Sequence, residues 1–180
     1  PAWTEMAGSQ THEFSNRPPL SPQDPEWDPS RGLALPAKAI RMIDRIEAYI
    51  PDGGQMGLGF IRGTKRVDPR EWFFDAHFYQ DPVLPGSLGI ESFIQMLKYM
   101  ARQRWPHLVD SHRFGLLTGK PHNWIYRGQI LPKNRLITVK AEVTAVKEHP
   151  IPTITADGYL QVDGLYIYKM EIFGINLVEI

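Results

Sequence analysis

Cysteine is absent from this chain of 180 residues. Its absence excludes a disulfide framework, a zinc site with thiolate ligands and a cysteine nucleophile. An excess of charge is missing as well, because 20 basic residues balance 20 acidic ones. A surface that binds nucleic acid usually needs a basic excess, so nucleic acid is not expected as a partner.

Long hydrophobic runs are also missing. No stretch approaches the roughly 18 uninterrupted apolar residues of a membrane span, and no signal peptide opens the chain. These absences favour a soluble, cytoplasmic protein that does not bind a membrane. Because the first residue is Pro1 rather than methionine, we expect the chain to be a piece of a longer polypeptide.

Proline is unevenly distributed along the chain and divides it in two. Residues 1–36 hold seven of the 16 prolines. Each proline fixes φ and removes a backbone donor, so this segment is predicted to be a surface linker or N-terminal extension. Its apolar residues Trp3, Phe14 and Trp27 would dock it on a single domain formed by residues 37–180.

The domain is predicted to contain one long helix. Residues 87–105 carry an apolar stripe at helical spacing, formed by Ile90, Phe93, Ile94, Leu97 and Ala101. Ser87 is the expected N-cap of this helix. Residues 39–50 are ambiguous, because their apolar spacing fits either a helix or a short helix that runs into a strand.

The last third of the chain is predicted to form strands. Residues 136–146 alternate apolar and polar side chains, with Ala145 on the apolar face. Asp163-Gly164 is the typical turn of a two-residue hairpin and joins two strands within residues 158–177. The predicted fold class is therefore α+β, with a curved antiparallel sheet wrapped around the long helix.

One short segment, "DAHFYQDPVLPGSLGIESFIQ" at residues 75–95, combines several kinds of chemistry. Taken alone, His77 in its aromatic-rich, strand-like stretch is more often structural, and a helical Glu91 more often solvated. Taken together, they offer an imidazole suited to proton abstraction near neutral pH and, fourteen residues later, an acid. A helix that starts near Gly86 would direct backbone N–H groups at a carbonyl oxygen gaining negative charge. Such a set suits the removal of an α-proton and a β-hydroxyl group from a thioester.

The segment resembles the active-site region of the β-hydroxyacyl-acyl-carrier-protein dehydratases, which are hotdog-fold enzymes of fatty-acid synthesis. The similarity is to the β-hydroxydecanoyl type and its relatives inside polyunsaturated fatty acid synthases, and it covers about residues 37–178. The matching residues in this segment are His77-Phe78, Asp81-Pro82-Val83, Pro85-Gly86, Leu88-Gly89, Glu91 and Gln95.

The resemblance implies the roles of the acid and the base. His77 would be the base at the substrate α-carbon, and Glu91 would hold or protonate the departing hydroxyl group with support from Gln95. The β-hydroxydecanoyl enzymes carry an aspartate and a neighbouring cysteine where this chain has Glu91 and Ser87. The resemblance therefore leaves their isomerase activity open for this chain.

Three further residues of the turn are implied as substrate-binding residues. Gly86 would bind the thioester carbonyl through its N–H group, with Pro85 beside it, and the Val83 carbonyl would orient the His77 ring. No cofactor is expected, because the base and the acid are both side chains. The other histidines show no close ligand spacing, so no metal is expected either.

The implied activity is the dehydration of 3-hydroxyacyl chains to 2-enoyl chains in fatty acid, polyunsaturated fatty acid or polyketide synthesis. The substrate would be carried on the phosphopantetheine arm of an acyl carrier protein. In this fold the site usually lies between two hotdogs, so a homodimer or a pseudo-dimer within one chain is implied. Two alternatives stay open: a hotdog thioesterase in which Glu91 activates water, and a non-catalytic hotdog scaffold within a megasynthase.

Overall fold

The computed structural model describes residues 12–13, 32–33, 36 and 38–180. The helices are α1 (Trp72–Ala76) and α2 (Gly86–Arg104), with 3-10 turns at Lys38–Ile40 and Pro106–Leu108. The strands are β1 (His12–Glu13), β2 (Arg45–Ile50), β3 (Phe60–Arg66), β4 (His112–Leu116), β5 (Asn123–Tyr126), β6 (Leu136–Lys147), β7 (Thr153–Val162) and β8 (Leu165–Glu179). They form one antiparallel sheet in the order β1-β2-β3-β6-β7-β8-β4, and β5 pairs with another part of β8.

Helix α2 lies against the sheet and forms the centre of the core. It contacts β3, β6, β7 and β8. Because the sheet curls around the helix, more of its side chains are buried than the predicted apolar stripe contains. Ile90 is only half-buried. The buried apolar side chains of the helix are Phe93, Ile94, Met96, Leu97, Tyr99, Met100 and Ala101.

Helix α2 begins at Gly86, one residue earlier than predicted, and Ser87 is not its N-cap. Pro85 occupies the N-cap position with a φ of −53°. Its carbonyl accepts hydrogen bonds from the N–H groups of Leu88, at 2.9 Å, and Gly89, at 3.4 Å. The prediction of Ser87 was wrong. Serine is a preferred N-cap residue because its side-chain oxygen can accept a hydrogen bond, and sequence patterns do not identify a proline N-cap, which has no such oxygen.

The predicted strands of the last third are confirmed. Asp163 and Gly164 join β7 to β8 with φ values of 49° and 87°, the left-handed conformations that a type I′ turn needs. Ala145 is exposed rather than on the apolar face. The reason is a shift of the β6–β7 register between Val143 and Ala145, which reverses the alternation at that point.

The ambiguous segment 39–50 is the second of its two alternatives, a short helical turn that leads into β2. Before it, Leu33 is buried in the core, and its N–H group donates to the Val109 carbonyl at 3.0 Å. The predicted anchors Trp3, Phe14 and Trp27 lie outside the described residues, and the boundary between residues 36 and 37 stays a prediction. In the part of the chain that the structure describes, no helix is long and apolar enough to cross a bilayer.

Candidate active site

The chain enters the candidate site through α1. The sequence suggested a strand here, and the structure shows a helix. Phe73 and Phe74 are both buried. Neighbouring residues of a strand point to opposite faces, so a helical turn is the conformation that brings both rings into the same core. The N–H group of His77 closes this helix on the Phe73 carbonyl at 3.0 Å.

The His77 ring is oriented by the backbone of the turn that follows it. Its Nδ1 lies 3.0 Å from the Val83 carbonyl oxygen, and the Val83 N–H group donates to the His77 carbonyl at 2.8 Å. A carbonyl oxygen can only accept, so Nδ1 carries the hydrogen of this bond. In the neutral ring Nε2 then holds the lone pair. The arrangement therefore presents Nε2 as the basic atom.

The turn that joins His77 to Val83 exposes aromatic side chains. Phe78 and Asp81 close it by exchanging backbone hydrogen bonds of 2.9 and 3.1 Å. The Phe78 ring lies against the His77 ring, with 3.7 Å between centroids. Phe78 and Tyr79 are both exposed. The imidazole therefore lies half-buried at the surface of the chain.

Glu91 is half-buried on α2, and one of its two carboxyl oxygens is held by donors from the same helix. Oε1 accepts from Nε2 of Gln95 at 3.0 Å and lies 3.4 Å from Nζ of Lys98. These residues follow Glu91 by four and seven positions, which places all three side chains on one face of the helix. The contact of Gln95 with Glu91 agrees with its implied supporting position, while its catalytic role stays a prediction.

Gln95 is itself fixed by a distant segment of the chain. Its side chain is buried, its Oε1 accepts from the Met42 N–H group at 2.8 Å, and its Nε2 donates to the Ile40 carbonyl at 2.7 Å. The two backbone groups are a donor and an acceptor, so they determine which end of the amide faces which way. The second hydrogen of Nε2 is left for Glu91. The acid is thereby tied to the segment before β2.

Aromatic rings cover the start of α2. A Cβ atom on residue 86 would lie 2.9 Å from Cη2 of Trp124, and one on residue 89 would lie 2.1 Å from Cε2 of Tyr168. The buried Tyr168 ring therefore requires glycine at position 89, whereas a side chain at position 86 would require the partly exposed Trp124 ring to shift. At Gly86 the space that a Cβ atom would need is taken up by the Trp124 ring.

The three rings of this region form one cluster. Trp124 packs against Tyr126 and Tyr168, with centroids 5.5 and 5.7 Å away, and the centroids of Tyr126 and Tyr168 are 4.9 Å apart. Burial raises the pKa of Tyr168, and the neighbouring Tyr126 adds to the rise. Trp124 and Tyr126 are partly exposed on strand β5. The start of α2 is therefore sheltered on one side by an aromatic wall.

Backbone donors remain available at this helix start. Within the described residues, no hydrogen bond occupies the N–H groups of Gly86 and Ser87, as expected for the first turn of a helix. Together with the helix dipole they favour an oxygen that carries negative charge. Pro85 fixes the direction from which the chain enters this turn. The substrate-binding roles of Pro85 and Gly86 stay predictions.

The structure brings the predicted residues together in two groups. His77 and Val83 form one group, and Glu91 and Gln95 form the other. No hydrogen bond or ion pair among residues 38–180 joins His77 to Glu91. In the described part of the chain, no three His, Asp or Glu side chains lie close enough together to hold a metal ion.

Sequence reasoning assigned no role in the site to Lys98 and did not find the aromatic wall. Lys98 carried a signal, since it lies seven residues after Glu91 and hence on the same helix face. The wall carried none, because Trp124 is 38 positions from Gly86 along the chain. Such a contact depends on strand pairing between β5 and β8, which local patterns do not determine.

Comparison with solved structures shows the fold. The chain is similar to the dehydratase heterocomplex ApeI:P from Xenorhabdus doucetiae, with a TM-score of 0.54 and 12% identity over 86% of this chain and 92% of that chain. It is also similar to a mutant thioesterase from Pseudomonas aeruginosa, with a TM-score of 0.48 and 13% identity over 76% of this chain and 81% of the other. The predicted hotdog fold, a long helix enclosed by a curved antiparallel sheet, is confirmed.

Comparison of sequences identifies the family. The chain is 38% identical over 142 residues to one of the subunits of the polyunsaturated fatty acid synthase of Thraustochytrium sp., a similarity that covers 76% of this chain and 9% of that protein. Residues 35–171 match the family described as FabA-like domain. The match spans well over half of the chain and contains both His77 and Glu91. The chain belongs to the family of FabA-like domains.

Proposed function

We propose that this domain dehydrates 3-hydroxyacyl thioesters to 2-enoyl thioesters, with His77 as the base and Glu91 as the acid. The observation that carries the proposal is that the hydrogen bonds of each side chain occupy one atom and leave the reactive one available. The Val83 carbonyl holds the hydrogen on Nδ1 of His77 and leaves Nε2 basic. Gln95 and Lys98 occupy Oε1 of Glu91 and leave Oε2 without a protein partner among the described residues.

These two side chains accept and donate all the protons that the reaction requires. Nε2 of His77 takes the α-proton, and the electrons of that C–H bond form the new double bond. The β-carbon–oxygen bond breaks, and the departing oxygen takes a proton from Oε2 of Glu91 and leaves as water. One proton must then leave the imidazolium and another must return to the carboxylate. No cofactor takes part in this scheme.

The thioester would bind at the start of α2. Negative charge develops on the thioester oxygen as the α-proton leaves, and the N–H group of Gly86 lies at the end of the helix where such charge is favoured. Pro85 fixes the entry to this turn, and the Trp124 ring covers one side of it. Hydrogen bonds of this kind strengthen in a site from which water is excluded.

We also propose that the acyl chain is delivered on the phosphopantetheine arm of an acyl carrier protein. The similarity to part of a polyunsaturated fatty acid synthase supports this source of substrate. The chain spans 9% of the length of that relative. The remainder of a longer chain is one source of the carrier, and a separate protein is the other.

A second hotdog domain would complete the site. Support comes from the lack of any hydrogen bond or ion pair between His77 and Glu91 among the described residues, and from exposed aromatic residues beside His77 and at the start of α2. Tyr79 stands out beside His77, and Trp124 lies on a strand that pairs only with β8 within the described residues. A homodimer or a pseudo-dimer within a longer chain would bring the two groups together across the interface.

The test of the function is turnover of a series of 3-hydroxyacyl thioesters of increasing chain length, followed by the absorbance of the conjugated product. We expect formation of the 2-enoyl thioester and, in the reverse direction, hydration of it. A thioesterase would instead release free thiol from acyl thioesters that have no hydroxyl group. Release of thiol without any enoyl product would contradict the proposal, as would a folded protein that is inert toward the whole series.

A further inference from the structure

The carboxyl group of Glu91 is held unevenly. Oε1 is close to two donors, Nε2 of Gln95 at 3.0 Å and Nζ of Lys98 at 3.4 Å. Oε2 has no hydrogen-bond partner among the described residues. A proton on Oε1 would compete with the two hydrogen bonds that this oxygen accepts. Protonation of the carboxyl group is therefore favoured on Oε2. The two donors therefore determine that Oε2 is the oxygen that carries the proton.

The two donors are not equivalent. The amide of Gln95 is neutral, and its orientation is fixed by Ile40 and Met42. Lys98 is charged, and its side chain is only 19% exposed. Its ammonium lies 6.0 Å from the centre of the Phe114 ring on β4. The aromatic ring attracts the ammonium and so restricts its position. Because the ammonium is partly buried, salt screens its charge only weakly.

Lys98 is also the charged partner of Glu91. In the described part of the chain, no other cationic side chain forms an ion pair with this carboxyl group. When Glu91 gives up a proton, negative charge appears on the carboxyl group 3.4 Å from the ammonium. An interaction that strengthens as charge develops lowers the barrier of the chemical step, whereas it changes the binding of a neutral substrate little.

We propose that Lys98 is a positioning residue that holds Oε1 of Glu91, directs Oε2 to the substrate hydroxyl group and stabilises the carboxylate left after proton transfer. This inference rests on the proposed dehydratase function. It assigns Lys98 a part that the FabA-like match does not. Gln95 and Lys98 orient the carboxyl group together, and Lys98 alone adds the charge that stabilises the carboxylate formed by proton donation.

The first experiment replaces Lys98 with methionine and with arginine and measures kcat and KM on a 3-hydroxyacyl thioester. General acid catalysis contributes roughly 10²- to 10⁴-fold as a whole, and we expect Lys98→Met to lose about tenfold of this in kcat with KM nearly unchanged. Lys98→Arg keeps the charge and should recover most of the loss. Lys147→Met, which removes an exposed lysine at the end of β6, is the matched control and should behave as wild type.

The second experiment repeats Lys98→Met in the Glu91→Gln background. If Lys98 acts through Glu91, its removal should not lower the residual rate further, because the effects of coupled residues are not additive. A merely structural lysine would lower the rate by the same factor in both backgrounds, and that outcome would overturn the inference. Thermal unfolding of each variant identifies loss of fold. If Lys98→Met is unfolded, the comparison of Lys98→Arg with Lys98→Gln decides the role of the charge.

The outcomes separate the inference from the function on which it rests. An active wild-type protein whose Lys98→Met variant keeps its kcat leaves the dehydratase function intact and refutes the role of Lys98. A wild-type protein that turns over no 3-hydroxyacyl thioester refutes both.

Discussion

The two halves of the candidate site are held in place by different kinds of contact. His77 is fixed by Phe73 and Val83, so its hydrogen bonds to described residues lie within an eleven-residue stretch, 73–83. Glu91 is fixed by Gln95, which depends on backbone groups of Ile40 and Met42 that are 55 and 53 residues away. The base is therefore positioned by local sequence and the acid by tertiary structure. A change in packing is expected to disturb the acid before the base.

The largest effect is expected from removing either group itself. His77→Ala removes the only proposed base, and Glu91→Gln removes the acidic proton while it keeps the shape of the side chain. We expect each to lower dehydration by roughly 10²- to 10⁴-fold, with the fold intact. Turnover together with circular dichroism checks both variants. A Glu91→Gln protein of normal activity would refute the acid role.

The next effect depends on whether the two halves meet across an interface. If the isolated domain forms a homodimer with shared sites, mixing His77→Ala with Glu91→Ala protein produces hybrids with one intact site and one doubly altered site. For random exchange the recovered activity is at most about a quarter of wild type, given independent sites. Exchange of protomers is verified with two affinity tags. Verified hybrids without recovered activity would show that both groups serve one site within a single chain, or that the partner is another domain.

Gln95→Leu tests the tertiary support of the acid. It leaves the buried Met42 N–H group without an acceptor, at a cost of about 1–3 kcal/mol in the free energy of unfolding. It also frees the Glu91 carboxyl group, so kcat should fall by roughly tenfold, well short of the loss in Glu91→Gln. Denaturant unfolding and turnover measure the two effects. Gln103→Leu, at an exposed position of the same helix, is the control and should change neither. A stable, fully active Gln95→Leu protein would remove the contrast between the two halves.

The smallest effect is expected on the stability of the fold, from the hydrogen bonds of Asp163, which lies outside both halves of the candidate site. Hydrogen bonds from Asn134 and from the backbone of Leu136 and Arg135 lower the pKa of Asp163. A carboxyl group with a lowered pKa in the folded state stabilises the fold above its unfolded pKa of about 3.9, and loses that contribution as the pH falls through the folded value.

Asp163→Asn suits this test because asparagine tolerates the left-handed conformation of the turn. The substitution should lower the melting temperature slightly at neutral pH, and the difference from wild type should shrink below about pH 4. Turnover should be unchanged. A difference that stays constant down to the acid end of the titration would contradict the electrostatic explanation.

Local patterns predicted what local physics determines. The alternation of residues 136–146 and the Asp163-Gly164 turn were sufficient for the hairpin strands, because side-chain period and left-handed turns are properties of a few adjacent residues. The stripe from Phe93 to Ala101 was sufficient for the helix. The strand suggested before His77 failed because aromatic residues favour strands in general, whereas the burial of both Phe73 and Phe74 is decided by the core they meet.

The support of the acid lay beyond such patterns. That Gln95 would meet Ile40 and Met42 depends on where the segment before β2 crosses α2, and no local feature of either stretch encodes that crossing. The same holds for Trp124 over Gly86. Side chains that act through a neighbour on the same helix, such as Lys98, are within reach of sequence reasoning because the helix fixes their relation.

The contact between Gly89 and the Tyr168 ring has a consequence for mutational scanning. Any side chain at position 89 would push α2 away from β8, and Glu91 lies only two residues further along the same helix. A library of single substitutions scored by activity would therefore mark Gly89 as intolerant to the same degree as a catalytic position. Pairing each substitution at Gly89 with a smaller residue at Tyr168 would distinguish the two, since a steric requirement can be relieved from the opposite surface and a chemical one cannot.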